Sequence, residues 1–360
     1  MASPVNSSEP AVAVTEAIST SPRHLTISLQ VCITTFYLVG IGGNMCALVL
    51  LGRGETHRNK KQTLMLRCLA WNDLLAMLGS AVLMYLQLYT PKSIAFSHWF
   101  CACRVFWRVF GFGSGCVAIV MAAERWFALT RPFVYQKHIT YKLIQRYIFG
   151  FWALAAIVVC LPFAGFGLYY DDHRPERLRC MRYRYATQNA DVAYAYLFFA
   201  CGVLLSVCIV CFNILVIRVL CRMGRQSVAR LSHTRKDSGQ LSLDHSATSD
   251  EISFAKLMAV LCIFFVICWI PQMLIIIIVQ MDPSKTERNE YRLADICIAL
   301  NFVLDPYIYV LLRRPHRHSL RQLLKPLCLT CNKQPDSTCA NHRPGSVRDS
   351  GARIKTFDRK

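Results

Sequence analysis

Met121-Ala122-Ala123-Glu124-Arg125-Trp126-Phe127, followed by Ala128-Leu129-Thr130-Arg131-Pro132, closes a long apolar run that begins near Trp99. An acid and a base therefore stand side by side at the inner end of a stretch long enough to cross a bilayer. Charges at that depth are costly unless they pair or serve a purpose. Glu124 and Arg125 can pair with each other, and Arg125 can also reach polar groups on a neighbouring helix. Two arrangements of one pair make a switch. The plain alternative is a charge that anchors the helix in the headgroups.

Composition sets the class around that stretch. Of 360 residues, 54% are hydrophobic and 17% charged, and mean hydropathy is positive, too apolar for a soluble domain of this size. Seven stretches reach the roughly 20 apolar residues that a spanning helix needs. None shows the alternation of a membrane β-barrel, so the expected fold is an all-α membrane protein, a seven-helix transmembrane bundle. The net charge of +20 comes mostly from alternate connecting loops, for example Arg53, Arg58, Lys60 and Lys61 after the first span and Arg222, Arg225 and Arg230 after the fifth. That pattern argues against nucleic acid as a partner. It places these loops in the cytoplasm and the N-terminus outside, as in a multi-pass protein of the plasma membrane. The second outer loop, with Arg174, Arg177, Arg179, Arg182 and Arg184, breaks the charge rule.

Residues 1–23 read as an extracellular tail carrying the glycosylation pattern Asn6-Ser7-Ser8. Residues 24–327 read as the seven-span domain, ending in a short amphipathic cytoplasmic helix, Arg313 to Leu327, suited to anionic membrane lipids. Within them, 223–251 reads as a flexible third cytoplasmic loop. Residues 328–360 read as a disordered basic tail, with Cys328 and Cys331 as candidate palmitoylation sites. Before the first span there is no cleavable leader, so that span is expected to act as its own targeting signal. Most of the 18 cysteines lie inside apolar spans and read as small hydrophobes. Cys180, in a loop facing an oxidising lumen, is expected to pair with Cys101 or Cys103, with Cys101 preferred.

Polar residues inside the spans are the functional candidates. Asn44 and Asp73 are an amide and an acid that must find internal partners. Ser114 lies three helical turns above Arg125, at about the depth of Asp73. Asn301 and Asp305, four apart, share one face. Arg104 and Arg108 also share a face in the outer part of the third span. Arg104 can snorkel to the headgroups; Arg108, deeper, reads as an anion anchor or as a partner of nearby carbonyls. Pro271 in Cys268-Trp269-Ile270-Pro271 kinks the sixth span into a hinge.

Taken together, Gly43-Asn44, Leu69-Ala70 with Asp73, Glu124-Arg125-Trp126, Trp152, Cys268-Trp269-Ile270-Pro271 and Asp305-Pro306-Tyr307-Ile308-Tyr309 have the order and spacing of the rhodopsin-like (class A) G-protein-coupled receptors, which the chain resembles over about residues 25–325. Within that family it looks most like the prostanoid receptors, of the prostaglandin E type. The supporting stretches include Leu161-Pro162 with Gly165-Phe166-Gly167, Ala193-Tyr194-Ala195-Tyr196 and Asn213-Ile214-Leu215-Val216. The resemblance implies a receptor for a lipid or prostanoid carboxylate that signals through a heterotrimeric G protein, leaning to the stimulatory type and cyclic AMP. Arrestin and receptor kinases are implied as further partners, with no cofactor. It also implies an inner polar cluster of Asn44, Asp73, Ser114, Asn301 and Asp305, with a sodium ion at Asp73, and a switch of Glu124, Arg125 and Tyr309.

The departures fall in the ligand site. Prostanoid receptors usually hold the ligand carboxylate with an arginine in the outer seventh span, where this chain has Ile296. A Thr-Trp-Cys element of the second outer loop is here Leu178-Arg179-Cys180. The expected ligand contacts are therefore Arg108, taking over the anion role, with Trp107, Tyr85, Tyr89 and Trp269. An apparent one-residue deletion between Cys101 and Arg125 would turn Arg108 toward the cavity. Motifs of an enzyme are absent, as are the repeats of a transporter. The rivals are a class A receptor for an unrelated small molecule or peptide and a ligand-independent scaffold.

Overall fold

A computed structural model describes residues 27–53, 60–173, 179–183, 188–233, 242–281 and 288–312. The chain divides into Met1–Ser319 and Leu320–Lys360, and the second unit lies outside the described residues. Asn6, Cys328, Cys331 and the amphipathic stretch 313–327 are likewise outside them.

Among the described residues seven helices are long and apolar enough to cross a membrane: Ile27–Arg53, Lys60–Tyr89, His98–Thr130, Tyr141–Ala164, Asn189–Met223, Ile252–Met281 and Arg292–Val310. The third is the hub, 61% buried, whereas the first and fourth are 22% buried and turn mostly apolar side chains outward. Hydrocarbon outside such a bundle is as apolar as leucine, so the helices are held by close packing and internal hydrogen bonds rather than by exclusion of water.

Two glycines illustrate the closeness. A Cβ on Gly79 of the second span would lie 1.6 Å from Trp107 Cε2, so the indole of the third span fits only because that atom is missing. A Cβ on Gly113 would meet Asn72 Oδ1 at 2.4 Å, and the Gly113 carbonyl accepts from Trp152 Nε1 at 3.2 Å. The second, third and fourth spans thus converge on one backbone segment.

The fifth and sixth spans extend beyond the hydrophobic stretch as the helices Asn189–His233 and Ser242–Met281. The expected loop over 223–251 is therefore helical at both of its ends. The second outer loop carries an antiparallel bridge between Tyr170 and Cys180, with Asp171 N donating to Arg179 O at 3.0 Å and Met181 N to Tyr169 O at 2.9 Å. A disulfide joins Cys180 to Cys101, with Cα atoms 5.2 Å apart, and Cys103 is a free, exposed thiol. This covalent tie sets the loop across the outer end of the third span.

Candidate functional site

The third span is interrupted where the sequence placed its anion anchor. The helix His98–Phe106 ends and Val109–Thr130 begins, with Trp107 and Arg108 between them. Arg108 N donates to Val105 O at 3.0 Å and Gly111 N to Arg108 O at 3.1 Å, bonds that skip three residues rather than four. Such a tightened turn advances the chain by three residues per revolution and resets the phase of what precedes it. Trp107 is locked here, its Nε1 donating to Leu75 O at 3.2 Å.

Arg104, Trp107 and Arg108 line a cavity of about 380 Å³ in the outer half of the bundle. The second span contributes Ser80, Leu83, Met84 and Gln87, the sixth Trp269 and Gln272, the seventh Asp295, and the outer loop Arg182 and Tyr183. The Arg108 guanidinium lies 4.9 Å from the centre of the Tyr183 ring, a cation–π contact. Arg182 Nη1 donates to Asp295 Oδ2 at 2.8 Å, and both side chains are partly exposed. Arg104 has Arg108, Arg182 and Asp295 as its charged neighbours. Among the described residues, three guanidinium groups thus face one carboxylate. In a partly dehydrated cavity that surplus favours an anionic guest strongly.

The floor is aromatic. Trp269, 2% exposed, packs against Phe112 at 5.4 Å and Phe265 at 5.2 Å between ring centres. Gln272 Nε2 donates to Tyr183 Oη at 2.6 Å and so ties the sixth span to the outer loop.

Two expected contacts are not in this wall, which corrects the reading of Tyr85 and Tyr89. The cavity takes positions 80, 83, 84 and 87 of the second span, one helical face. Tyr85 and Tyr89 lie on the adjacent face, toward the first span. Tyr85 Oη shares a hydrogen bond with Thr34 Oγ1, Gln30 donates to the Tyr89 hydroxyl, and the two rings stack at 5.9 Å. Ile296 is 56% exposed and faces outward, while its neighbour Asp295 faces the cavity. One residue before the position where the resemblance puts an arginine, the cavity meets an acid, Asp295. The sequence reading let Arg104 reach the headgroups, named Arg182 only within the basic second outer loop, and did not single out Asp295, Gln272 or Tyr183.

Deeper in the bundle the second, third and seventh spans meet. Asp73, Ser114, Asn301 and Asp305 are all at most 3% exposed. Asn301 Nδ2 donates to Ser114 Oγ at 3.5 Å and to Asp305 Oδ2 at 3.4 Å. Asp73 accepts from Asn72 Nδ2 at 3.2 Å and has Asp305 and Ser114 within hydrogen-bonding range. Asp73 Oδ2, Asn301 Oδ1 and Asp305 Oδ1 have no partner among the described residues. Acid and amide oxygens left over in one buried place fit a hard cation. Asn44 instead ties the first span to the seventh, donating to Gly40 O and Phe302 O, each at 3.0 Å. Tyr309, 1% exposed, has Asp73 and Asp305 as charged neighbours.

At the inner end Arg125 and Glu124 are 2% and 4% exposed. Arg125 donates through Nε and Nη2 to both carboxylate oxygens of Glu124, the two-pronged geometry that a guanidinium suits. Three further side chains join them. Tyr135 donates its hydroxyl to Glu124 and carries the Lys61 ammonium 4.2 Å above its ring, and Arg125 stacks 4.7 Å over Phe254 of the sixth span. The tie from the switch to the sixth span is thus a cation over a ring, which sequence spacing does not announce.

Three comparisons with known proteins bear on this arrangement. The family model described as 7 transmembrane receptor (rhodopsin family) matches residues 43–309. Prostaglandin E2 receptor EP4 subtype of Homo sapiens is 24% identical over 355 residues, covering 88% of this chain and 70% of that one. The EP2 subtype of Canis lupus familiaris is 24% identical over 346 residues (90% and 92%), and the prostacyclin receptor of Homo sapiens 24% over 304 (82% and 76%). Among solved structures, squid rhodopsin superposes with a TM-score of 0.69 at 18% identity, over 88% of this chain and 90% of that one, a likeness of fold.

Proposed function

The chain belongs to the seven-transmembrane receptors of the rhodopsin family, and on that premise we propose that it is a plasma-membrane receptor for a prostaglandin-like lipid carboxylate. The observation that carries the reading is the cavity in which Arg104, Arg108 and Arg182 outnumber Asp295. A carboxylate entering from the outer leaflet exchanges its water for guanidinium donors, and its hydrocarbon lies against Phe198, Phe302, Met77 and Trp269. Arg108 is the principal anchor, because it sits deeper in the third span than Arg104, and Arg182 comes from the loop. The relatives' names supply the ligand class, and the lean toward a stimulatory G protein is carried only by the sequence resemblance to the prostaglandin E and prostacyclin branch.

Signalling follows as a shift between two states. Ligand against Trp269 biases the sixth span, whose Pro271 kink lets the inner half swing. The cluster of Asp73, Ser114, Asn301 and Asp305, whose oxygens would hold a sodium ion in the resting state, collapses. Phe254 then leaves Arg125, and Arg125 leaves Glu124 to meet the G protein. Arrestin and receptor kinases act on the same exposed inner face. The N-terminus lies outside, where Asn6 carries a glycan, and Cys328 and Cys331 carry acyl chains inside.

The test is cyclic AMP and calcium in cells expressing the chain, challenged with prostaglandins, other oxygenated fatty acids and their methyl esters. A response to prostaglandin E2 that falls on esterification is the expected result. Silence to every carboxylate lipid together with a response to an amine or peptide would overturn the reading.

A further inference from the structure

Two buried polar atoms in the cavity wall lack partners among the described residues: Trp269 Nε1, a donor, and Gln272 Oε1, an acceptor. Their residues are three apart on the sixth span, hence on one face, and both line the cavity. They are 2% and 5% exposed, so bulk water does not serve them. Nearly all buried polar groups in folded proteins are paired, and two orphans on one wall point to a partner that arrives through the cavity. Neither side chain is at liberty to turn elsewhere. Phe112 and Phe265 hold the indole from two sides, and Tyr183, beneath Arg108 and against Phe198 at 4.4 Å, holds the Gln272 amide.

We propose that Trp269 and Gln272 form a hydroxyl-binding subsite, which selects lipid carboxylates bearing an alcohol partway along the chain or on a ring. This rests on the reading of the cavity as a carboxylate site. One hydroxyl satisfies both atoms: its O–H donates to Gln272 Oε1 while its oxygen accepts from Trp269 Nε1–H. Being donor and acceptor at once, it complements either arm of the amide. An unhydroxylated fatty acid with the same carboxylate and chain leaves both protein groups buried and unpaired. Sites built around a substrate hydroxyl reject the analogue that lacks it more sharply than apolar pockets reject an extra methylene.

The experiment uses purified full-length receptor in lipid nanodiscs and compares ligands that differ by one hydroxyl: prostaglandin E2 with its 15-deoxy analogue, and ricinoleic with oleic acid. Apparent affinity is read from the dose dependence of the melting temperature. In at least one pair the hydroxylated member should bind at least about tenfold more tightly. Gln272→Leu should bring that ratio to about one by weakening the hydroxylated member. Gln272→Met, closer in shape, should do the same, and the melting temperature of each unliganded variant checks its folding. Tyr183→Phe, which removes only the hydroxyl that Gln272 meets, should keep the ratio. Equal binding within both pairs would overturn the subsite and leave the carboxylate reading standing. A Tyr183→Phe variant that erases the ratio as fully as Gln272→Leu would overturn it too, because Gln272 would then act only by positioning the loop. Failure of all four lipids to bind would overturn the carboxylate reading and the subsite with it.

Discussion

Two polar clusters stand at different depths of one bundle and differ in how their charge is met. In the outer cavity, among the described residues, three arginines stand with one aspartate, a local excess of positive charge. In the inner core two aspartates stand with an asparagine and a serine, and three acid and amide oxygens have no partner among the described residues. The outer cluster draws on an external loop and on a tightened turn at Trp107–Arg108. The inner one draws only on regular helix, where residues four apart meet by geometry alone. The difference teaches that helical phase alone can assemble a buried cluster, whereas a site at the mouth of the bundle needs a loop and a break in the helix.

The comparison breaks most readily at Arg108. If the outer surplus binds the ligand, Arg108→Ala should raise the half-maximal concentration of prostaglandin E2 by about 30-fold, the worth of a charge-assisted, two-pronged contact. Surface staining should stay normal, and esterifying the ligand should then cost little more. Unchanged potency would move the anchor to Arg104 or Arg182. Asp305→Ala tests the inner side. It should alter basal cyclic AMP and remove a shift of about tenfold in agonist affinity between sodium and potassium buffers, the scale of ordinary coupling between sites. If basal activity and sodium sensitivity both stay as they were, the inner cluster is structural.

Smaller effects sharpen the contrast. Asp295→Asn frees Arg182 from a partly exposed ion pair, so potency toward carboxylates should rise by about threefold to fivefold while methyl esters respond as before. A loss of potency would mean that Asp295 orders the loop more than it competes for the cation. Phe254→Ala removes the ring on which Arg125 stacks and should raise basal signalling by about threefold, the weight of one modest cation–π contact. Constant basal cyclic AMP at matched surface levels would assign the restraint to Glu124 and Tyr135 alone.

The legible parts of the molecule share one property. The seven spans, the hub position of the third and the grouping of Asn301 with Asp305 follow from run length and helical phase, which operate within a single segment. The tie between Cys180 and Cys101 was legible because few cysteines lie outside the spans. The cavity wall was less so. Arg104 could equally have reached the headgroups by spacing, and Tyr85 and Tyr89 sat one helical step from the face that the cavity uses. Reading Ile296 at the family's arginine position registered an absence, whereas its cavity-facing neighbour Asp295 carries the opposite charge.

By itself, the sequence determined that this is a seven-span bundle with an acid–base pair at the foot of the third helix, because the hydrocarbon slab forces each segment to satisfy its own backbone and to hide its few charges inward. The tertiary structure alone decided which charges meet. Arg182 reaches Asp295 across 113 positions and Gln272 reaches Tyr183 across 89, and both unions depend on a loop drawn over the bundle by a disulfide. Arg125 likewise meets an aromatic ring of the sixth span, Phe254. Contacts of that kind depend on how helices rotate and cross, and on a single overwound turn, which no local pattern of residues encodes.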